Sequence, residues 1–253
     1  MDDPHHVLVK AHYAELSGQY PDLVLEYKEG TWVIKGSLDF CATYEKIKIK
    51  ESFQVEILIS RKYPEILPIA RETGGIIPRT FHRYEDDTLC LGAPSAIKIK
   101  FSEKPSLLGF VDNLLIPFLF SFSYWKENGV MPYGELSHGG KGLTEYYTNY
   151  FGVHSESVIL AFLAMLALDK YRGHHDCPCG SGQIIRQCHG DALLKLKIIQ
   201  NQDDFLCEYM ANAGCDLSAV LPDRKCLAFI KKRLASMSRK VKMRTNSKIA
   251  ISA

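Results

Sequence analysis

Two runs of strict apolar alternation set the fold class. Trp32, Ile34, Gly36, Leu38 and Phe40 alternate with Val33, Lys35, Ser37 and Asp39. Phe53, Val55, Ile57 and Ile59 repeat the period against Gln54 and Glu56. Side chains of a strand point to opposite faces in turn, so this pattern predicts strands with one face buried and one wet. A short strand at Leu23–Tyr27 precedes them across Lys28-Glu29-Gly30, and residues 5–17 read as a helix through Val7, Leu8, Ala11 and Leu16. Tyr63-Pro64 and Pro68 stop the run, because proline cannot donate to a central ladder. The chain therefore opens as a helix followed by an antiparallel meander, an α+β start.

From Ser106 the period changes. Leu107, Leu108, Val111, Leu114, Leu115 and Leu119 form one helical face, with a kink expected near Pro117. Asn128 to Gly142 reads as a polar, glycine-rich loop. A helix follows from about Ser155, its N-cap, to Tyr171. Its middle is apolar all round, so burial on most sides is expected. Segments 191–200, 203–213 and 221–236 also look helical. The break at Arg172-Gly173-His174-His175-Asp176 divides the chain into expected domains 1–172 and 173–253.

Composition narrows the class of function. The 31 Lys and Arg against 29 Asp and Glu leave a net charge of +2, which calls for neither nucleic acid nor membrane. The longest unbroken apolar run, Val158 to Leu168, falls short of the ~20 residues a bilayer needs. Met1-Asp2-Asp3-Pro4-His5-His6 is not a secretory start, so a soluble, cytoplasmic protein is expected. Ten Lys or Arg and no acid lie between Arg224 and Lys248, and this tail lacks the interleaved aromatics that stack on bases.

Three of the eight cysteines gather in Cys177-Pro178-Cys179-Gly180-Ser181-Gly182, followed by Cys188-His189. Three thiolates and an imidazole are a donor set that tetrahedral zinc prefers, and four such ligands close a structural site. Cys-x-Cys puts two sulfurs on one turn, and Gly180 and Gly182 give the chain freedom to wrap back. His174 and His175 are redundant beside four ligands. The stretch resembles the SEC-C motif, a short zinc-binding module named for a bacterial secretion ATPase; Cys-Pro-Cys-Gly-Ser-Gly and the final Cys-His-Gly match. The lysine-rich middle of that motif is here Gln183-Ile184-Ile185-Arg186-Gln187.

Cys90 lies between Leu89 and Leu91, where a buried strand is the plain interpretation. Its setting suggests more. A helix, a four-strand meander, the turn Tyr63-Pro64-Glu65-Ile66-Leu67-Pro68, a loop led by His82, Leu89-Cys90-Leu91-Gly92 and then helices resemble the ubiquitin-conjugating enzyme fold over roughly residues 1–150. The resemblance implies that Cys90 accepts the carboxyl end of a ubiquitin-like protein as a thioester and passes it to an amine. It implies a ubiquitin-activating-like enzyme and a target protein as partners. The family's His-Pro-Asn triplet is His82-Arg83-Tyr84 here, so its oxyanion-supporting asparagine has no counterpart, and the loop to Cys90 is shorter than usual. His-Arg-Tyr, Gly134-Glu135-x-x-His138-Gly139 and Gly142-x-x-Glu145-Tyr146-Tyr147 are similar to divergent bacterial conjugating enzymes of antiphage operons. Those act with a ubiquitin-like protein or a nucleotidyltransferase as the modified partner.

A thiolate attacking an activated carboxyl end needs a cation nearby, for which His82 and Arg83 are candidates. The developing oxyanion needs a donor, for which Tyr84, His138 and a backbone amide near Gly92 are candidates, His138 favoured. A catalytically inactive binding module of the same fold, with a zinc-stabilised tail, is the alternative. A zinc-bearing interaction protein on another α+β scaffold is the third. No Gly-x-Ser-x-Gly elbow or Cys-Gly-x-Cys-Trp segment supports a hydrolase, and no His-x-Glu with Pro-Cys-x-x-Cys supports a deaminase.

Overall fold

The computed structural model describes residues 3–44, 46–132 and 139–212. It divides into two compact units, 1–135 and 136–253. The break read from the sequence at 172–173 falls inside the second unit, for a reason set out below.

In the first unit, α1 (Pro4–Gln19) starts with Asp3 accepting a hydrogen bond from the His5 amide and buries Val9 and Leu16. Four strands follow: β1 (Leu23–Lys28), β2 (Thr31–Tyr44), β3 (Ile47–Ile59) and β4 (Ile69–Glu72). They pair antiparallel in chain order, the expected meander. Glu29 and Gly30, both at positive φ, make the two-residue turn that matches strand twist between β1 and β2. The register sets Ile34 against Ile57 and Leu38 against Phe53, so both alternating runs lie on one buried face. On the other face Lys35, Glu56 and Arg71 line up across three strands, and Glu56 bonds both cations at 2.7 and 3.1 Å.

Helix α2 (Pro94–Glu103) and helix α3 (Leu107–Asn128) follow. Phe122 of α3 meets Phe53 and Phe81, so α3 covers the apolar face of the sheet. The irregularity expected at Pro117 takes the form of a π turn over Val111–Leu115. Proline has no N–H to offer the preceding turn, and a widened turn accommodates that loss. α3 has the length and apolarity of a membrane-crossing helix, with mean hydropathy 1.5, yet 72% of its most apolar window is buried in the protein. Core packing accounts for that composition.

In the second unit, α4 (Gly139–Phe151) and α5 (Glu156–Ala167) meet at 87°. The expected loop to Gly142 thus ends at Gly139. α5 is buried on most sides, as its sequence suggests. Ser155 caps it by position only, its hydroxyl pairing with Ser157. α6 (Gly190–Ile199) and α7 (Gln202–Asn212) follow close to expectation. Glu208, buried on α7, accepts hydrogen bonds from Tyr147 of α4 at 2.5 Å and from Gln200 at 2.8 Å. α4 and α5 are therefore built into the same core as α7, which is why 172–173 is no boundary of compactness. The segment 221–236 lies outside the described residues.

At Gly36, φ is +145° and a Cβ would sit 1.9 Å from the Asp22 carbonyl oxygen. Gly36→Ala should lower unfolding stability by about 2 kcal/mol or more, the size expected where a side chain meets both strain and backbone. Urea denaturation checks this; an unchanged midpoint would show that the close approach of β1 to β2 is not needed.

Candidate thiol site and metal centre

The thiol lies on a small hairpin after β4. Cys90 N–H donates to the His82 carbonyl at 2.7 Å and Tyr84 N–H to the Thr88 carbonyl at 2.9 Å, with Arg83 bridged to Leu89. The turn closes through Asp87 at φ +64°. Period two then sorts the side chains. Arg83 and Leu89 form a non-hydrogen-bonded pair whose side chains share the inner face; Leu89 is buried and Arg83 nearly so. Tyr84 and Cys90 belong to the other face, as diagonal neighbours within reach of a long side chain.

That geometry brings two predicted site residues together. Tyr84 and the half-buried Cys90 thus share one face of the hairpin, and much of the Tyr84 ring stays exposed. Lost hydration, then the neighbouring Cys90 thiol, raise the Tyr84 hydroxyl well above its ordinary value, so it keeps its proton at neutral pH. A shallow depression lined by Tyr84, Glu85, Asp86 and Thr88 adjoins them. His82, at φ +41°, is joined to Cys90 through its carbonyl, and its ring packs on Phe81 at 4.9 Å. Arg83, expected as a cation near the thiol, instead turns inward: its Nη2 donates to Glu72 Oε2 at 2.8 Å and to the Glu72 carbonyl at 2.9 Å. The inner face of the hairpin requires this. His138 lies outside the described residues, as do Gly134, Glu135, Cys215, Cys226 and the basic tail. Glu72 is the partner the sequence reading missed; its only signal is a carboxylate closing a short strand.

The four predicted metal ligands converge. One donor atom from each of Cys177, Cys179, Cys188 and His189 lies within 4.8 Å of all the others. His189 Nδ1 is 3.3 Å from Cys177 Sγ and 3.2 Å from Cys188 Sγ, and Cys179 and Cys188 sulfurs are 3.5 Å apart. Tetrahedral coordination with metal–sulfur ~2.3 Å and metal–nitrogen ~2.0–2.1 Å spaces its donors ~3.5–3.8 Å apart. These three distances are at or a few tenths of an ångström inside that, and no pair exceeds 4.8 Å, so the cluster can hold a metal ion. Gly180 and Gly182, at φ +78° and +76°, turn the chain back, and Cys177 N–H donates to the Gln183 carbonyl. His174 and His175 are exposed.

An outer partner orients the imidazole. His189 Nε2 lies 3.0 Å from the Phe151 carbonyl, the C-terminal residue of α4. A carbonyl can only accept, so Nε2 carries the proton and Nδ1 presents its lone pair to the sulfurs, the arrangement seen around metal-bound histidines. The ring also packs on Phe151 and Phe162. The centre is thereby tied to both α4 and α5. Without an ion, burial pushes the Cys177 thiol up to about 11, whereas a hydrogen bond with Ser181 holds Cys179 down at about 6.

No family model, curated protein or solved structure matches the chain.

Ligands bind metal deprotonated, so protons compete with the ion. Affinity should fall steeply as pH drops below about 6, where Cys179 also takes up a proton. It should keep rising above neutrality, because Cys177 gives up its proton only on binding or near pH 11. A titration with a competing chelator from pH 5 to 9 measures this; a flat profile would contradict the thiolate site. Chelation should also loosen α4 and α5, seen as faster amide exchange over 139–167. Exchange confined to 173–190 would break the link through His189.

Proposed function

We propose that the chain is an acyl carrier of the ubiquitin-conjugating kind, with Cys90 as the thioester site and a structural zinc in the second unit. The placement of Tyr84 and Cys90 on one face of the hairpin carries the reading. It sets a protonated donor beside a half-buried thiol at the place where the family resemblance puts the reactive cysteine. The Cys90 thiolate attacks the activated carboxyl end held by an activating enzyme, and that enzyme's group leaves. An amine of the target then attacks the thioester carbonyl, and the Cys90 thiolate leaves. Tyr84 donates to the oxygen that gains charge in each step, taking the part of the absent asparagine. His82 closes the base of the hairpin, and His138 is a second candidate donor.

The partners are a ubiquitin-like protein or a nucleotidyltransferase-type substrate, an activating enzyme and a target protein, in a bacterial antiphage setting in the cytoplasm. Zinc is the ion that best fits three cysteines and one histidine, and four protein ligands leave it no open position for chemistry.

With an activating enzyme, ATP and a ubiquitin-like partner, wild type should form a reductant-sensitive adduct. Cys90→Ser should form a reductant-resistant one, because an alkoxide leaves less readily than a thiolate, and Cys90→Ala none. Tyr84→Phe should slow transfer by about 10²–10³, the usual cost of losing one oxyanion donor. Absence of any adduct on wild type, with a fold disturbed in Cys90→Ala, would make the first unit a binding module instead. Elemental analysis should return one zinc per chain; well below one would remove the metal assignment.

A further inference from the structure

The inner face of the Cys90 hairpin holds a buried ion pair that the chemistry above does not use. Glu72, its side chain wholly buried, accepts from Arg83 Nη2 at 2.8 Å and from the Ile77 amide at 3.1 Å. The Arg83 side chain is 9% exposed and its second nitrogen is 3.8 Å from Asp87, which in turn bonds Arg79 at 2.9 Å. Among the described residues, Glu72 Oε1 and Arg83 Nε, both buried, have no hydrogen-bond partner. A buried pair left partly unsatisfied is a poor source of stability, since desolvation offsets much of its attraction. Its geometry is specific, however. Arg83 also bonds the Glu72 carbonyl, so one guanidinium reads both the side chain and the backbone of β4's last residue. Leu89 N–H donates to the Ala70 carbonyl at 2.8 Å, fastening the other arm of the hairpin to the same strand.

We infer that Arg83 is a positioning residue: its pairing with Glu72 locks the hairpin's inner face to β4 and thereby holds the Tyr84 side chain on the face that carries the Cys90 thiol. Adjacent residues of an extended segment face opposite ways, so fixing Arg83 inward fixes Tyr84 outward. A slip of one residue in the hairpin's register would exchange its faces. Arg83 then acts on the thiol through Tyr84 and never touches it. The relevance to acyl transfer rests on the function proposed above; the positioning itself does not.

The test needs no partner protein. The full chain is alkylated with iodoacetamide over a range of pH, and modification of Cys90 is followed by peptide mass spectrometry. Tyr84→Phe should move the half-point of the Cys90 profile upward by about 1–2 units, the size of one hydrogen bond to a charged group. Arg83→Met should move it the same way by a similar amount, and Tyr84→Phe added to Arg83→Met should move it no further. Where Arg83→Met fails to fold because it strands the Glu72 carboxylate, Glu72→Gln with Arg83→Met removes that charge and carries the same expectation. Arg83→Lys, which keeps a cation beside Glu72, should restore part of the shift. A wild-type profile in the folded Arg83 variants, or additive shifts, would overturn the inference, as would a wild-type profile in Tyr84→Phe. Failed conjugation with these alkylation results intact would instead sink the acyl-carrier reading alone.

Discussion

The apolar face of the meander has to be covered, and the first unit is arranged around that need. Ile34, Leu38, Phe53 and Ile57 put branched and aromatic surface on one side of the sheet, and α3 lies over it with Phe118, Leu119 and Phe122. Burying one such side chain contributes ~1.5–3 kcal/mol, so the sheet and α3 need each other. Once they are joined, Phe81 is drawn in against Phe118, Phe122 and Trp125. The chain leaving Phe81 begins the hairpin that carries Cys90. The thiol is presented at the surface because the residue just before that hairpin is fixed in the core.

The second unit solves a different problem. Between α5 and α6 the chain runs through a cysteine loop that buries little apolar surface besides Ile185. A metal ion held by the four ligands would supply there the order that packing does not, and His189 would pass that order to the end of α4 through the Phe151 carbonyl. The buried Glu208, with Tyr147 and Gln200 donating to it, fastens α7 to the same helix. Two polar anchors thus fix α4 from opposite elements, and a polar network of this kind selects one packing over others.

The sheet and the Cys/His cluster were legible because each rests on local pattern. Alternation along residues 32–40 and 53–59 fixes which face is buried before any partner is known. Cys-x-Cys and Cys-His at close spacing need only a turn to converge. What escaped the sequence depends on tertiary context. Ile97-Lys98-Ile99-Lys100-Phe101 alternates like a strand, yet Pro94 at a helix start and the space beside α3 make it part of α2. The glycines of 139–142 read as loop, but Leu143, Tyr147 and Phe151, spaced four apart, carry α4 into the core. Nearness in sequence makes Arg83 a candidate cation for the thiol but does not fix its distance. Only the pairing of residue 83 with residue 89 shows that it must face the other way. Tyr84 gained its place at the thiol by the same rule.

The central claim is that Cys90 carries an acyl group, and the protein drawn from its own cells tests it most directly. Intact-mass spectrometry without reductant, on chain isolated under mildly acidic conditions that preserve thioesters, reads the state of every molecule. A fraction should be heavier by the mass of a small protein, and neutral hydroxylamine should return it to the sequence mass, with the modification mapped to Cys90. A population that stays at the sequence mass while its activating enzyme and ubiquitin-like partner are present and active, or an adduct that maps elsewhere, would contradict the account.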